Sequence, residues 1–210
     1  MKTANEPLLL LVIGSLLLAL TAIHPHDYPT WWMETAPIFI AAPILVATGK
    51  RYPLTPLVYR LLFVHALILM VGGHYTYAEV PLGYSMEHWF GLLRNDYDKI
   101  GHFAQGFVPA LLFRELLLRR SPLQRGKLLF TLVTACCLAV SASYELVEWA
   151  AAVTMGQGAD AFLGTQGDPW DTQTDMLMAL IGAVCAQGVL GKVQDGQLRA
   201  VCDELPVRSS

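Results

Sequence analysis

Apolar residues recur along this chain in six long runs separated by short polar segments, near residues 7–23, 32–48, 57–73, 100–118, 128–153 and 174–191. A bilayer core about 30 Å thick is crossed by roughly 20 mostly apolar helical residues, with a working range of about 17–25. The runs lie in or close to that range. They predict an all-α fold, a polytopic bundle of six transmembrane helices. The second run contains Pro37 and Pro43, which a membrane helix tolerates when its neighbours satisfy the freed carbonyls. Between the third and fourth runs, Met86, Trp89, Phe90 and Leu93 fall at i, i+3, i+4 and i+7, while Glu87, His88 and Asn95 face away. That stripe predicts a short interfacial helix over 84–94, lying along the membrane surface.

Composition sharpens the picture. Of the 210 residues 54% are hydrophobic and only 15% charged, against about 25% charged in an ordinary soluble domain. Mean hydropathy is +0.45. Such a chain is neither disordered nor typical of soluble enzymes, and a net charge of −3 excludes a basic nucleic-acid-binding domain. The lipid bilayer is the expected partner, with no nucleic acid. Residues 1–191 form one transmembrane domain, and the polar 192–210 a partly ordered cytoplasmic tail.

Basic residues set the orientation, because cytoplasmic loops accumulate Lys and Arg. With the N-terminus inside, Lys2, Lys50, Arg51, Arg60, Arg114, Arg119, Arg120, Arg125, Lys127, Lys192, Arg199 and Arg208 are cytoplasmic, and Arg94 and Lys99 alone lie outside. Both termini are then cytoplasmic. Lys2 followed by a leucine-rich run also has the shape of a signal peptide, but no convincing cleavage site follows it. None of the four cysteines falls in an outer loop, and no pair has zinc-finger spacing.

Acidic residues segregate the other way. Twelve of the seventeen, Asp27, Glu34, Glu79, Glu87, Asp96, Asp98, Glu145, Glu148, Asp160, Asp168, Asp171 and Asp175, fall on outer loops or outer helix ends. His24, His26, His74, His88 and His102 accompany them, and His65 lies deeper. Ionisable groups at membrane depth are costly, which makes them functional candidates. Asp98 and His102 share a face of the fourth helix, Glu145 and Glu148 of the fifth, and Asp171 and Asp175 of the sixth. All three pairs reach the same membrane level.

Capping offers a structural alternative for Asp98, Asp171 and Asp175, with Thr172 and Asp175 matching a capping box. Glu145 and Glu148 sit in the C-terminal part of their helix, where the dipole disfavours negative charge. Two close carboxylates there repel unless one is protonated or a cation lies between them. Asp98, His102, Glu145 and Glu148 are therefore the candidate catalytic groups, as acids or bases. Glu145, Glu148, His102 and Asp175 are candidate ligands for a divalent cation such as Mg²⁺, Mn²⁺ or Ca²⁺. Arg94, Lys99, Asp171 and Asp175 are the candidate substrate-binding residues. Arg94 and Lys99 would either clamp an anionic head group or pair with the surrounding carboxylates. His65 reads as a core histidine and Arg114 as a paired or snorkelling residue. Ala135, Ala139 and Ser143 on the fifth helix, with Gly182 and Ala186 on the sixth, predict a close contact between those two helices.

The segments R-N-D-Y-D-K-I-G-H-F-A-Q-G-F, S-Y-E-L-V-E-W and G-D-P-W-D-T-Q-T-D-M-L-M-A-L-I-G-A resemble the bacterial YjdF-like inner-membrane protein family, over residues 27–191. Asp98, Lys99, His102, Phe103, Glu145 and Asp175 also resemble the pattern of the broader VanZ-like membrane group. Ala179 and Gly182 depart from the Asn and Gly common there. The resemblance implies a multi-span bacterial membrane protein and points to cell-envelope chemistry without naming a reaction. Together these features lead to an outer acidic and histidine pocket that binds or modifies a lipid or lipid-linked head group. The alternatives are a proton- or ion-coupled transporter, whose ionisable groups belong nearer the midplane, and a non-catalytic scaffold.

Overall fold

A computed structural model describes residues 5–155 and 166–204. Lys2, Asp160 and Arg208 lie outside the described residues, as does the side chain of Cys202. Among the described residues there are seven α-helices and no strand: α1 (Glu6–Thr21), α2 (Tyr28–Gly49), α3 (Pro56–Tyr75), α4 (Pro81–Phe90), α5 (Tyr97–Arg120), α6 (Lys127–Met155) and α7 (Asp171–Glu204). A 3-10 turn, Tyr77–Glu79, separates α3 from α4. Each of the six apolar runs falls on its own long helix.

Local chemistry sets several of the ends. Asp27 caps α2, its Oδ2 accepting from Thr30 N at 2.8 Å and Thr30 Oγ1 at 2.6 Å, as an extended N-cap residue does. Gly91 closes α4 at φ 64°, the left-handed conformation glycine adopts without a Cβ penalty. The helix expected over 84–94 is thus shifted to Pro81–Phe90, and Leu93 and Arg94 lie beyond it. Asn95 does not face away. It is buried, donating to Val80 O at 3.0 Å and accepting from Tyr97 N at 3.2 Å, which ties the start of α4 to the start of α5.

The long helices alternate in direction. Arg60 pairs with Glu6 at one end of α1 and α3, and His74 Nδ1 lies 2.9 Å from Thr21 O at the other, so these two run parallel. Thr55 bonds Glu115 while Tyr97 Oη reaches Ile68 O at 3.3 Å, which makes α3 and α5 antiparallel. Lys99 meets Asp175 near the start of α5, and Arg114 meets Asp195 near its end, so α5 and α7 are parallel. Arg94 and Lys99 stand at one end with the acidic residues. Arg60, Arg114, Arg119 and Arg125 stand at the other.

Four of these helices are long and apolar enough to cross a membrane: α2, α3, most of α6 and Asp171–Val201 of α7. α1 is apolar but has 16 residues, or about 24 Å of helix. α5 is long but carries Asp98, Lys99, Arg114 and Glu115. It is the most enclosed helix, packed by α3, α6 and α7, so its composition is set by protein neighbours rather than lipid. Nor does α7 stop where the sequence turns polar at Gly191. It continues to Glu204, with Gln194 fully buried and donating to Leu111 O at 2.7 Å.

Helix contacts are built on small residues. A Cβ at Gly106 would collide with the carbonyl of Ala179, and one at Gly182 with the carbonyl of Phe103. The closest approach is therefore α5 to α7, each lending a glycine to the other's backbone. This corrects the expected pairing. Ala135, Ala139 and Ser143 are exposed on α6, and the buried face is Leu129, Val133, Cys137, Ser141 and Glu145, one residue in four. That row packs against Ala183 and Ala186 of α7 and carries Glu145 inward.

Candidate functional site

The turn before α5 brings two cations into an acidic ring. Arg94 donates from Nε to Asp96 Oδ1 at 2.9 Å and from Nη2 to Asp98 Oδ2 at 3.0 Å and Asp171 Oδ1 at 2.6 Å. Lys99 Nζ lies 2.9 Å from Asp171 Oδ1, 2.8 Å from Asp175 Oδ1 and 3.4 Å from Asp98 Oδ2. Asp98, Asp171 and Asp175 are all buried. Burial works against the charge on Arg94, but the hydrogen bond it donates to Asp171 and the charges of Asp98 and Asp171 outweigh it and raise its pKa. All four candidate substrate-binding residues thus meet in one network, and the carboxylates occupy donors that an anion clamp needs. The capping box does not form, because α7 starts at Asp171, so Thr172 is inside the helix, and Asp175 is bonded by Lys99. Asp98 and Asp171 do lie in the first turns of α5 and α7, and Asp98 Oδ1 accepts from Lys99 N at 2.7 Å.

One turn deeper, His102 stands between α6 and α7. Its Nε2 is 3.6 Å from Asp175 Oδ2, and its Nδ1 is 3.8 Å from Glu145 Oε1 and 3.1 Å from Gln105 Oε1. Thr172 hydrogen-bonds the Glu145 carboxylate. Among the described residues two groups have spacings that suit a cation, His102–Glu145–Asp175 and Asp98–Asp171–Asp175. Glu148, the fourth expected ligand, belongs to neither group.

Glu148 instead lines a cavity of about 1520 Å³ bounded by α1, α2, α3, α5 and α6. Over most of its length the lining is aliphatic or aromatic, with Leu11, Phe39, Leu45, Phe63, Leu69 and Phe113. Glu34, Tyr77, Asp98, His102, Gln105, Tyr144 and Glu148 also line it, and the acidic ring places them at one end. Three of the four catalytic candidates therefore face the cavity, and Glu145 does not. His65, expected in the core, is on the cavity wall.

Tyr77 and Tyr144 are not among the sequence candidates, and Glu34 enters there only as one of twelve outer carboxylates. Tyr144 Oη lies 3.4 Å from Glu34 Oε2, and the Tyr77 hydroxyl also bonds that carboxylate. The available signal was Gly72-Gly73 at the end of α3. A Cβ at Gly72 would overlap the Tyr77 ring, and one at Gly73 would come within 3.2 Å of Glu34 Cβ. Thr76, at φ 64°, takes a conformation β-branched residues rarely adopt, and it turns the chain so that Tyr77 follows directly against α3.

Comparison with known proteins agrees with the motifs. The family model described as "Predicted membrane protein (DUF2238)" matches residues 6–196. The chain belongs to this family. It is similar to the inner membrane protein YjdF of Escherichia coli (strain K12), being 55% identical over 185 residues, 88% of each chain. No solved structure matches. The YjdF-like resemblance is borne out, and neither match carries the VanZ-like one. This DUF2238 member is a multi-pass inner-membrane protein.

Proposed function

We propose that this protein binds a lipid-linked head group, with the hydrocarbon chain lying in the cavity beside α2 and the head group against the carboxylate–histidine end. All six long helices cross the bilayer, both termini are cytoplasmic, and the acidic end with α4 faces outward. The observation that carries the reading is one continuous cavity whose long apolar wall ends in a compact set of polar side chains. Its volume of about 1520 Å³ exceeds the roughly 300–1,000 Å³ of ordinary small-molecule sites, as a long-chain ligand requires. At the polar end the lining offers carboxylates, phenols, an amide and an imidazole, while Arg94 and Lys99 are held in the acidic ring. That chemistry favours a head group rich in hydroxyl or amine donors over a bare phosphate. Glu148, on the cavity wall, is the group positioned to move a proton at a bound head group. A second reading, a carrier that passes its ligand along the groove, is favoured by the cavity's reach to Glu6 and Lys50.

The test is to purify the protein from its native membrane in mild detergent and identify the retained lipids by mass spectrometry. Wild type should retain one lipid class far above its membrane abundance, and Ala42→Trp, which fills the cavity, should lose it. Retention of bulk phospholipids in their membrane proportions by both would overturn the proposal. Transfer of the retained lipid between leaflets of proteoliposomes would select the carrier reading.

A further inference from the structure

We propose a divalent-cation site where α5, α6 and α7 meet, with His102, Glu145 and Asp175 as its protein ligands. The inference goes beyond head-group binding and does not depend on it. One donor atom from each residue lies within 4.8 Å of both others. The His102 Nε2–Asp175 Oδ2 separation, 3.6 Å, is too long for a hydrogen bond. It suits two ligands of a common ion, since atoms at about 2.0–2.2 Å from a metal are themselves some 3–4 Å apart, while the 3.8 Å approach to Glu145 is made by the other ring nitrogen, Nδ1.

A second observation is independent of the spacing. The Glu145 side chain is only 7% exposed, and its Oε1 has no hydrogen-bond partner among the described residues. A buried anionic oxygen without a partner is costly. His102 is also the one basic side chain within ion-pair distance of Glu145 among the described residues. In the tautomer with the proton on Nδ1, Gln105 Oε1 at 3.1 Å accepts it, and the Nε2 lone pair faces Asp175. A lone pair facing a carboxylate is repulsive until a cation comes between them. An acceptor on the other ring nitrogen that fixes the tautomer in this way is usual for metal-bound histidine.

The neighbouring acidic group provides the contrast. Asp98, Asp171 and Asp175 already hold the Arg94 guanidinium and the Lys99 ammonium, so that cluster carries its own cations. Lys99 bonds Asp175 through Oδ1, which leaves Oδ2 on the His102 side. Two carboxylates and one imidazole form a mixed oxygen and nitrogen set that suits Mn²⁺ better than Ca²⁺ or Mg²⁺, which prefer oxygen alone.

The test is Mn²⁺ titration of the full-length protein in lipid nanodiscs after chelation, followed by paramagnetic resonance and thermal unfolding. Wild type should bind one Mn²⁺ per chain and unfold at a higher temperature with it. His102→Ala and Glu145→Gln should bind at least 10-fold more weakly, while Glu79→Gln, at an exposed ion pair, should match wild type. Glu145→Gln removes the buried charge, so it keeps the test readable even where His102→Ala fails to fold. Absence of stoichiometric binding in wild type, or equal binding by Glu145→Gln, would overturn the site. Retained lipid, measured on the same samples, reports separately on the head-group proposal.

Discussion

Glu115 has no solvent exposure, and its carboxylate accepts from Thr55 N at 3.1 Å, Thr55 Oγ1 at 2.7 Å and Arg119 Nη1 at 2.7 Å. Arg119 also donates to Pro53 O at 2.7 Å, so one carboxylate fixes the α2–α3 loop to the end of α5. Removing one partner of a buried ion pair typically costs about 3–5 kcal/mol, because the other charge is left behind. Glu115→Ala should lower stability by about that much in detergent unfolding. Glu115→Gln should lose less, since its amide oxygen still accepts from Thr55. Lipid retention by the folded fraction should be unchanged in both, because Glu115 is at the opposite end from the acidic ring. Glu145 differs from Glu115 in having an unsatisfied oxygen, and that difference separates a structural carboxylate from a candidate ligand.

Helix contacts obey the rule that lipid gives helices no hydrophobic reason to associate, so close packing of small residues has to provide it. Gly106 and Gly182 let α5 and α7 touch backbone to backbone, which sets Asp171 and Asp175 against Arg94 and Lys99. Overpacking usually costs about 1–3 kcal/mol, and a clash with rigid main chain belongs at the upper end. Gly182→Leu should therefore destabilise the protein strongly in thermal unfolding, whereas Ala139→Leu, on an exposed face, should be nearly neutral. The opposite order would mean that the small stripe of α6 is the real contact.

Spacing alone made that stripe look like the interface, because Ala135, Ala139 and Ser143 repeat as regularly as Leu129, Val133 and Cys137. Small size marks a close contact only once the partner is known. The apolar runs were legible because length and hydropathy are one-dimensional properties, and so was the shared level of Asp98, His102, Glu145 and Asp175. Glu34 and Tyr77 were not legible as site residues. They meet only because Gly72 and Gly73 let α3 admit a ring and a carboxylate from two other segments, which is a three-dimensional fact.

Across the whole molecule, charge is distributed so that α5 can be polar at both ends and still sit centrally. Its charged residues find partners on α7, in the α2–α3 loop and in the turn before α5, while α1, α2, α6 and α7 turn Leu8, Leu16, Ile40, Ile44, Leu146 and Val189 outward. An exposed apolar surface of that extent belongs in lipid. With α5 spanning, the segment holding Leu93 and the loop holding Gln124 must lie on opposite sides of the membrane. On the proposed orientation, the excess of Lys and Arg near Gln124 predicts a cytoplasmic position for that loop. In a variant with its native cysteines replaced by Ser, Leu93→Cys should react in intact cells with a maleimide that penetrates the outer but not the inner membrane. Gln124→Cys should react only after the inner membrane is opened. The reverse pattern would invert the bundle and place the acidic ring in the cytoplasm. Labelling of both positions in intact cells would mean that α5 does not span, and the cavity beside it would then no longer run along the lipid.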